Sequence, residues 1–247
     1  MKNVISALFV VTCAFSLDAQ ITATLSRQSN DLPEMRIRNK SAGTVEAVAV
    51  YMGPVARSEG SIDPFILYVD TAVDLAAKPL MPNQEHTVPL FFRLPPGQRV
   101  EELFEPQIVT ASIFSDGWTM GDPVLLTRLI SRRSSMLLAV ETAIEMLSDA
   151  GSRNILRDRL INQFKKAAEF ASRWYLPQEQ QVGRVVYQSV VAKLMQVPEG
   201  PAGTAFPPSD FVKQEIAALH QKRVMLSQSL PSLADKTLMV SVGTRSN

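Results

Sequence analysis

Cysteine is nearly absent: Cys13 is the only one in 247 residues, and it sits inside an apolar run near the N-terminus. One thiol forms no internal disulfide, which excludes the small cross-linked scaffolds common among secreted domains. Histidine is almost as scarce, and neither His86 nor His220 has a cysteine or a second histidine at metal-ligand spacing. A zinc site is therefore not expected, and no cofactor is. Gly-x-Ser-x-Gly, Gly-x-x-x-x-Gly-Lys and His-Glu-x-x-His do not occur, so the nucleophile-elbow, phosphate-loop and metalloprotease chemistries have no motif to rest on. Charge of one sign is not in excess either, since 25 Lys and Arg face 24 Asp and Glu. Nucleic acid is not an expected partner, because the net charge is small and no aromatic residues interleave with the arginines.

What the chain does have is apolar material, with 46% hydrophobic and 20% charged residues. That suffices for a sizeable core in one or two domains. Met1-Lys2-Asn3 supplies a positive charge, Val4 to Phe15 is predominantly apolar, and Ala14 and Ser16 place small residues where a signal peptidase reads. Cleavage is expected between Ser16 and Ala19, giving a mature start between Leu17 and Gln20. The run reaches about 18 Å as a helix, short of the ~30 Å of a bilayer core. Cys13 precedes either cleavage point, and Val10-Val11-Thr12 lacks the small residue of a lipoprotein processing site. A secreted or periplasmic bacterial protein without thiols is expected, in which Asn39-Lys40-Ser41 is turn chemistry rather than a glycan acceptor.

From Gln20 to about Asp116 the apolar period is two. Ile21, Ala23 and Leu25 alternate with Thr22, Thr24 and Ser26, and Met35 and Ile37 alternate with Glu34, Arg36 and Arg38. The pattern returns in Val45 to Met52, Phe65 to Val69, His86 to Leu94 and Ile108 to Phe114. Turn signals at Asn39 to Gly43, Pro79 to Gln84 and Pro95-Pro96-Gly97 separate the runs. Six or seven short strands with no helix between them predict antiparallel sheets, with Pro89 at an edge or a bulge. The Met35-Arg36-Ile37-Arg38-Asn39-Lys40-Ser41 stretch followed by the Val45 to Tyr51 strand resembles the strand, Asn-x-Ser turn, strand step of immunoglobulin-like sandwiches in exported bacterial proteins. That resemblance implies a sandwich fold. The paired cysteines and intervening tryptophan of antibody domains are absent, and it brings no functional residue with it.

The period changes at Asp122-Pro123, where Asp122 suits an N-cap and Pro123 the first helical position. A long helix is predicted over Leu126, Ile130, Leu137, Val140, Ile144 and Leu147, with Arg133 in a slot that should be apolar and Gly151 as the stop. A second runs from Ser152 towards Tyr175 through Leu156, Leu160, Phe164, Ala167, Ala171 and Trp174. A third spans Gln178 to about Gln196 with Val182, Val186, Val190 and Leu194. After a linker from Pro198 to Pro208, a fourth carries Val212, Ile216, Leu219 and Leu226, ending at Pro231. The expected class is α+β in two parts: a signal peptide over 1–19, an immunoglobulin-like β-sandwich over 20–121, a helical region of about four helices over 122–231, and a tail over 232–247.

Charge divides with the fold. Gln20 to Asp122 holds 8 basic and 13 acidic residues, and Pro123 to Asn247 holds 16 and 10, so the parts carry −5 and +6. The first explanation is a solvated face on each part with weak mutual attraction; the second is an anionic partner. Arg128, Arg132, Arg133, Arg153, Arg157, Arg159, Lys165 and Lys166 are the candidates for an anionic membrane surface. Asp122 and Pro123 are expected to be architectural. Glu101, Glu102, Glu105, Asp116 and Asp122 are acids of the type a glycosidase pairs, and Asp116 with Asp122 could also begin a calcium site; turn and cap roles account for both more simply. His86 is expected as an exposed strand residue, Trp118 at the junction of strands and helices, and Trp174 with Tyr175 as packing residues. The expected function is a non-catalytic interaction or structural module for a protein or envelope component. A polymer hydrolase using paired carboxylates and an anionic-surface protein are the alternatives.

Overall fold

Alternation builds the N-terminal half. In the strand Pro33–Asn39, Met35, Ile37 and Asn39 are buried while Arg36 and Arg38 face out, the period of a sheet with one dry face. The computed structural model describes residues 20–27, 33–56, 62–74, 78–90, 108–153, 155–173, 178–197, 207 and 209–230. Its strands are β1 (Ile21–Arg27), β2 (Pro33–Asn39), β3 (Val45–Ala56), β4 (Ile62–Asp70), β5 (Glu85–Pro89), β6 (Ile108–Phe114) and β7 (Thr119–Gly121). They form two antiparallel sheets, ordered β1-β2-β5 and β4-β3-β6-β7.

Local chemistry fixes the joints. Asn39 is fully buried at the end of β2; its Nδ2 donates to the carbonyls of Gly43 at 2.8 Å and Leu80 at 2.9 Å, and its Oδ1 accepts from Ser41 N at 2.9 Å. Pro89 opposes Glu34 at the end of β5, which is an edge strand and loses nothing to the missing donor. β7 is a strand that the alternation does not register, being only three residues long. The turn before it is closed by Gly117 N donating to Phe114 O at 2.9 Å and by Trp118 N donating to Asp116 Oδ1 at 2.9 Å. Gly121 ends it at φ 109°, where a Cβ would lie 2.1 Å from the Thr110 carbonyl oxygen. Only glycine fits there.

One buried cluster takes Ile21, Met35 and Ile37 from the first sheet and Val48, Val50, Met52 and Val109 from the second. The opposite face of the second sheet is also dry. Ala47, Ala49, Ala111 and Ile113 pack there against Leu126 and Leu129 of the first helix. The order of layers is therefore sheet, sheet, helix, and the alanines leave room for the helix to lie close.

That helix, α1 (Pro123–Arg153), is followed by α2 (Arg157–Ala171), a single turn at Gln178–Gln181, α3 (Arg184–Gln196) and α4 (Ser209–Ser229). N-terminal strands and C-terminal helices make the chain α+β in two parts. Four details differ from the sequence reading. The α1 helix passes through Gly151, which does not take the left-handed conformation a C-cap needs, and stops at Arg153. Leu126, Val140 and Leu147 are buried as expected, but Ile130, Leu137 and Ile144 are only half-buried, and Leu129, Met136, Ala139 and Ala143 are buried beside that row instead. The expected second helix starts later, since Leu156 is extended at ψ 142° and exposed. The third is interrupted at Val182-Gly183, where the chain comes so close to α1 that a Cβ on Gly183 would fall 2.8 Å from Ala139 Cβ. The signal segment over 1–19, the tail over 232–247, the Pro95-Pro96-Gly97 turn, Glu101, Glu102, Glu105, Trp174 and Tyr175 lie outside the described residues.

Candidate functional site

Three features of the helical part hold polar groups in unusual positions: a buried junction with the strands, a cleft between α3 and α4, and a basic outer face on α2.

The junction centres on Arg133. Its side chain is 0% exposed, as is that of Asp70 at the end of β4, and the two are bidentate: Nε lies 2.9 Å from Oδ2 and Nη2 lies 3.0 Å from Oδ1. Arg133 Nη1 donates to the Ser229 carbonyl at 2.6 Å, at the end of α4, and lies 3.4 Å from Glu46 Oε2 on β3. Asp70 Oδ1 also accepts from Ala72 N at 2.9 Å. Removing two charges from water costs several kcal/mol each, and only good geometry with further hydrogen bonds offsets that. Both conditions are met here. Beside it, Asp74 Oδ2 accepts from Asp70 N at 3.2 Å, and burial holds the Asp74 carboxyl above the usual carboxylate range, with Arg132 opposing. This proximity of two acids is not the open pair that a glycosidase needs, because Asp70 is sealed from solvent and occupied by Arg133.

The cleft is lined from α3 by Val185, Val186, Ser189 and Lys193 and from α4 by Glu215, Ala218, Leu219 and Lys222, and encloses about 190 Å³. Both oxygens of the buried Glu215 carboxylate accept from Lys193 Nζ at 2.7 Å. Burial lowers the pKa of the Lys222 ammonium, with Asp74 opposing.

The expected surface residues separate into three groups. Arg133 and Arg157 are inside, a correction to the expected set: Arg157 Nε donates to the Leu194 carbonyl at 2.9 Å and Nη2 to that of Met195 at 3.3 Å, so that its guanidinium closes the last turn of α3. Arg128, Arg132 and Arg153 have partners, namely Glu179 at 3.6 Å, the Tyr68 ring at 5.0 Å and Asp149 at 3.5 Å. Arg159, Lys165 and Lys166 are exposed on α2, and no ion pair joins them to another described residue. Arg159, Lys166 and Phe170 recur at seven and four residues, so they share one face of the helix. Phe170 is 56% exposed, and Arg173 lies over its ring at 4.6 Å.

Asp122 and Pro123 stand at the start of α1, where Asp122 Oδ1 accepts from Val124 N at 2.7 Å and Leu125 N at 3.2 Å. Asp116 is tied into the turn before β7. His86 shares a face with Val88, two positions on, and is half-buried beside Ile37 and Leu80, where an exposed residue was expected. Trp118 is not at the junction of strands and helices: it lies 5.1 Å from the Phe114 ring and is 46% exposed. Among the described residues no group of three His, Cys, Asp or Glu is placed to hold a metal ion. The sequence reading missed the cleft and Asp70. For the cleft, the polar residues at helical spacing within apolar stretches of α3 and α4 were the available signal; for Asp70 there was none.

Comparison of the chain with protein-family models, with characterised proteins and with solved structures finds no match.

Proposed function

We propose that the chain is an exported, non-catalytic interaction module in which an immunoglobulin-like sandwich and a helical region form one body, and that the outer face of α2 meets an anionic lipid surface. The observation that carries the reading is the line of Arg159, Lys166 and Phe170 on α2, flanked by Lys165 and Arg173. Cations around an exposed aromatic ring are the composition of interfacial helices, where the ring enters the headgroup boundary and the cations meet lipid phosphates. Among the described residues no helix is long and apolar enough to cross a membrane. The sandwich assignment is supported by strand order: β1-β2-β5 facing β4-β3-β6-β7 corresponds to strands A-B-E and C′-C-F-G of that fold. The non-catalytic assignment is supported by the junction, whose buried charges are engaged in holding helices to strands.

Co-sedimentation with phosphatidylserine-containing vesicles tests the reading. Binding is expected at 0.01 M salt and is expected to weaken at 0.15 M, as the Debye length falls from about 30 Å to about 8 Å. Each basic residue near such a surface is worth about 1 kcal/mol, so the combined Arg159→Gln, Lys165→Gln, Lys166→Gln variant is expected to bind about a hundredfold more weakly. Absence of binding at low salt, or binding unchanged in the triple variant, overturns it.

A further inference from the structure

The geometry of the α3–α4 cleft points to a binding site for a small carboxylate with an apolar body, held by the Lys222 ammonium. The site stands apart from the α2 face and does not depend on what that face meets. Space comes first. The cleft exists because α3 packs on α2 and α4 packs on α1, while α3 and α4 face each other across a gap that Lys193 and Glu215 bridge. Its volume of about 190 Å³ exceeds the roughly 150 Å³ in which an apolar cavity holds benzene. Val185, Val186, Ala218 and Leu219 supply apolar wall, so the body of a ligand with an aromatic ring or a short alkyl chain is matched.

Charge then selects the head group. Three ionised side chains line the cleft, and two of them neutralise each other, since Lys193 Nζ contacts both oxygens of Glu215 at 2.7 Å. Lys222 is the third. No carboxylate of a described residue lies within ion-pair distance of its nitrogen. Asp74 is near enough to act on Lys222 through space, yet it lies outside the lining. A cation partly withdrawn from water, with apolar wall on one side and no paired anion, gains most from an anionic group that completes its hydrogen bonds. Ser189, on the same wall, adds a hydroxyl. An amine ligand would meet Lys222 with like charge and find Glu215 already taken.

The full chain titrated with benzoate, hexanoate, acetate and benzylamine, followed by ligand-observed saturation-transfer NMR, tests the assignment. Benzoate and hexanoate are expected to bind. Acetate, lacking a body, and benzylamine, carrying the wrong charge, are expected to give no saturation transfer at equal concentration. Lys222→Met keeps the stem and removes the charge, and it is expected to weaken benzoate at least about tenfold. Ala218→Phe fills the gap and is expected to abolish benzoate binding while circular dichroism stays that of the wild type. The inference is overturned if benzylamine binds as well as benzoate, if Lys222→Met leaves benzoate affinity unchanged, or if a folded Ala218→Phe protein still binds.

Discussion

Replacing Arg133 by methionine should be among the most damaging single changes available to this chain. Methionine follows the arginine stem and fills much of its space, so the change isolates the charge. It leaves the Asp70 carboxylate fully buried with only the Ala72 amide to satisfy it, and it leaves the Ser229 carbonyl without its donor. Breaking one side of a buried ion pair costs about 3–5 kcal/mol. At roughly 2–4 °C per kcal/mol for a domain of this size, the unfolding midpoint should fall by about 6–20 °C. The second substitution gives the sharper test. Asp70→Asn on the same background removes the orphaned charge while keeping an acceptor for Ala72, so Arg133→Met/Asp70→Asn should be more stable than Arg133→Met alone, with a coupling of about 0.5–3 kcal/mol. Unfolding is followed by far-ultraviolet circular dichroism for the helices and by Trp118 fluorescence in a Trp174→Phe background for the strands. The two probes should give one transition in the wild type, because the junction joins β3, β4, α1 and the end of α4. A wild-type midpoint in Arg133→Met, or separate transitions for the two probes in the wild-type protein, would refute the reasoning.

Asp122→Ala should lower stability by about 0.5–2 kcal/mol through loss of the bonds to Val124 N and Leu125 N, whereas Asp122→Asn, which caps nearly as well, should stay close to wild type in thermal unfolding. Equal losses in both variants would contradict a capping role. For Lys222 the sign follows from its lowered pKa in the folded protein: the neutral amine favours folding, a contribution present above the unfolded value of about 10.4 and lost as pH falls through the folded value. At pH 7 the desolvated ammonium is a cost, so Lys222→Met should be more stable than wild type in urea unfolding, and the gap should narrow as pH rises towards 10. A gap that widens with pH would show that attraction to Asp74, not burial, governs this lysine.

How far the sequence could be read depended on whether the deciding interaction was local. Strands with one dry face announce themselves by alternation, and Asp122 and Pro123 act within a few residues of their own positions, whereas Asn39 adds to its local bonds with Ser41 and Gly43 one to Leu80 that no local pattern names. The α1 stripe was readable only approximately. The row at intervals of seven, Leu126, Arg133, Val140 and Leu147, is buried along the whole helix, as its periodicity predicts. Beside that row a helix can bury the residues three or four positions on, both of them apolar here, and Leu129, Met136 and Ala143 rather than Ile130, Leu137 and Ile144 turn inward because the second sheet and the other helices pack on that side. Gly183 gave a signal that helical periodicity overrode, since Val182 and Val186 fit one face whether or not the helix is broken between them. Asp70 and Arg133 meet across 63 residues. Arg133 was visible as a charge in an apolar slot, but no local pattern names its partner.

The charge division between the two halves also takes on a different meaning once these positions are known. Part of it is used internally: Asp70 comes from the acidic half, and Arg133, which pairs with it, comes from the basic half. Charges used this way are withdrawn from solvent, and their interaction is barely screened by salt. The cations left outside on α2 sit in water, where screening is strong. Ionic strength therefore separates the two uses of the same excess: between 0.01 and 0.15 M salt, vesicle binding through Arg159, Lys165 and Lys166 should weaken while the stability lost in Arg133→Met stays constant. If the Arg133→Met penalty fell in parallel with vesicle binding, the guanidinium would have to be in contact with solvent, which a sealed junction with Asp70 excludes.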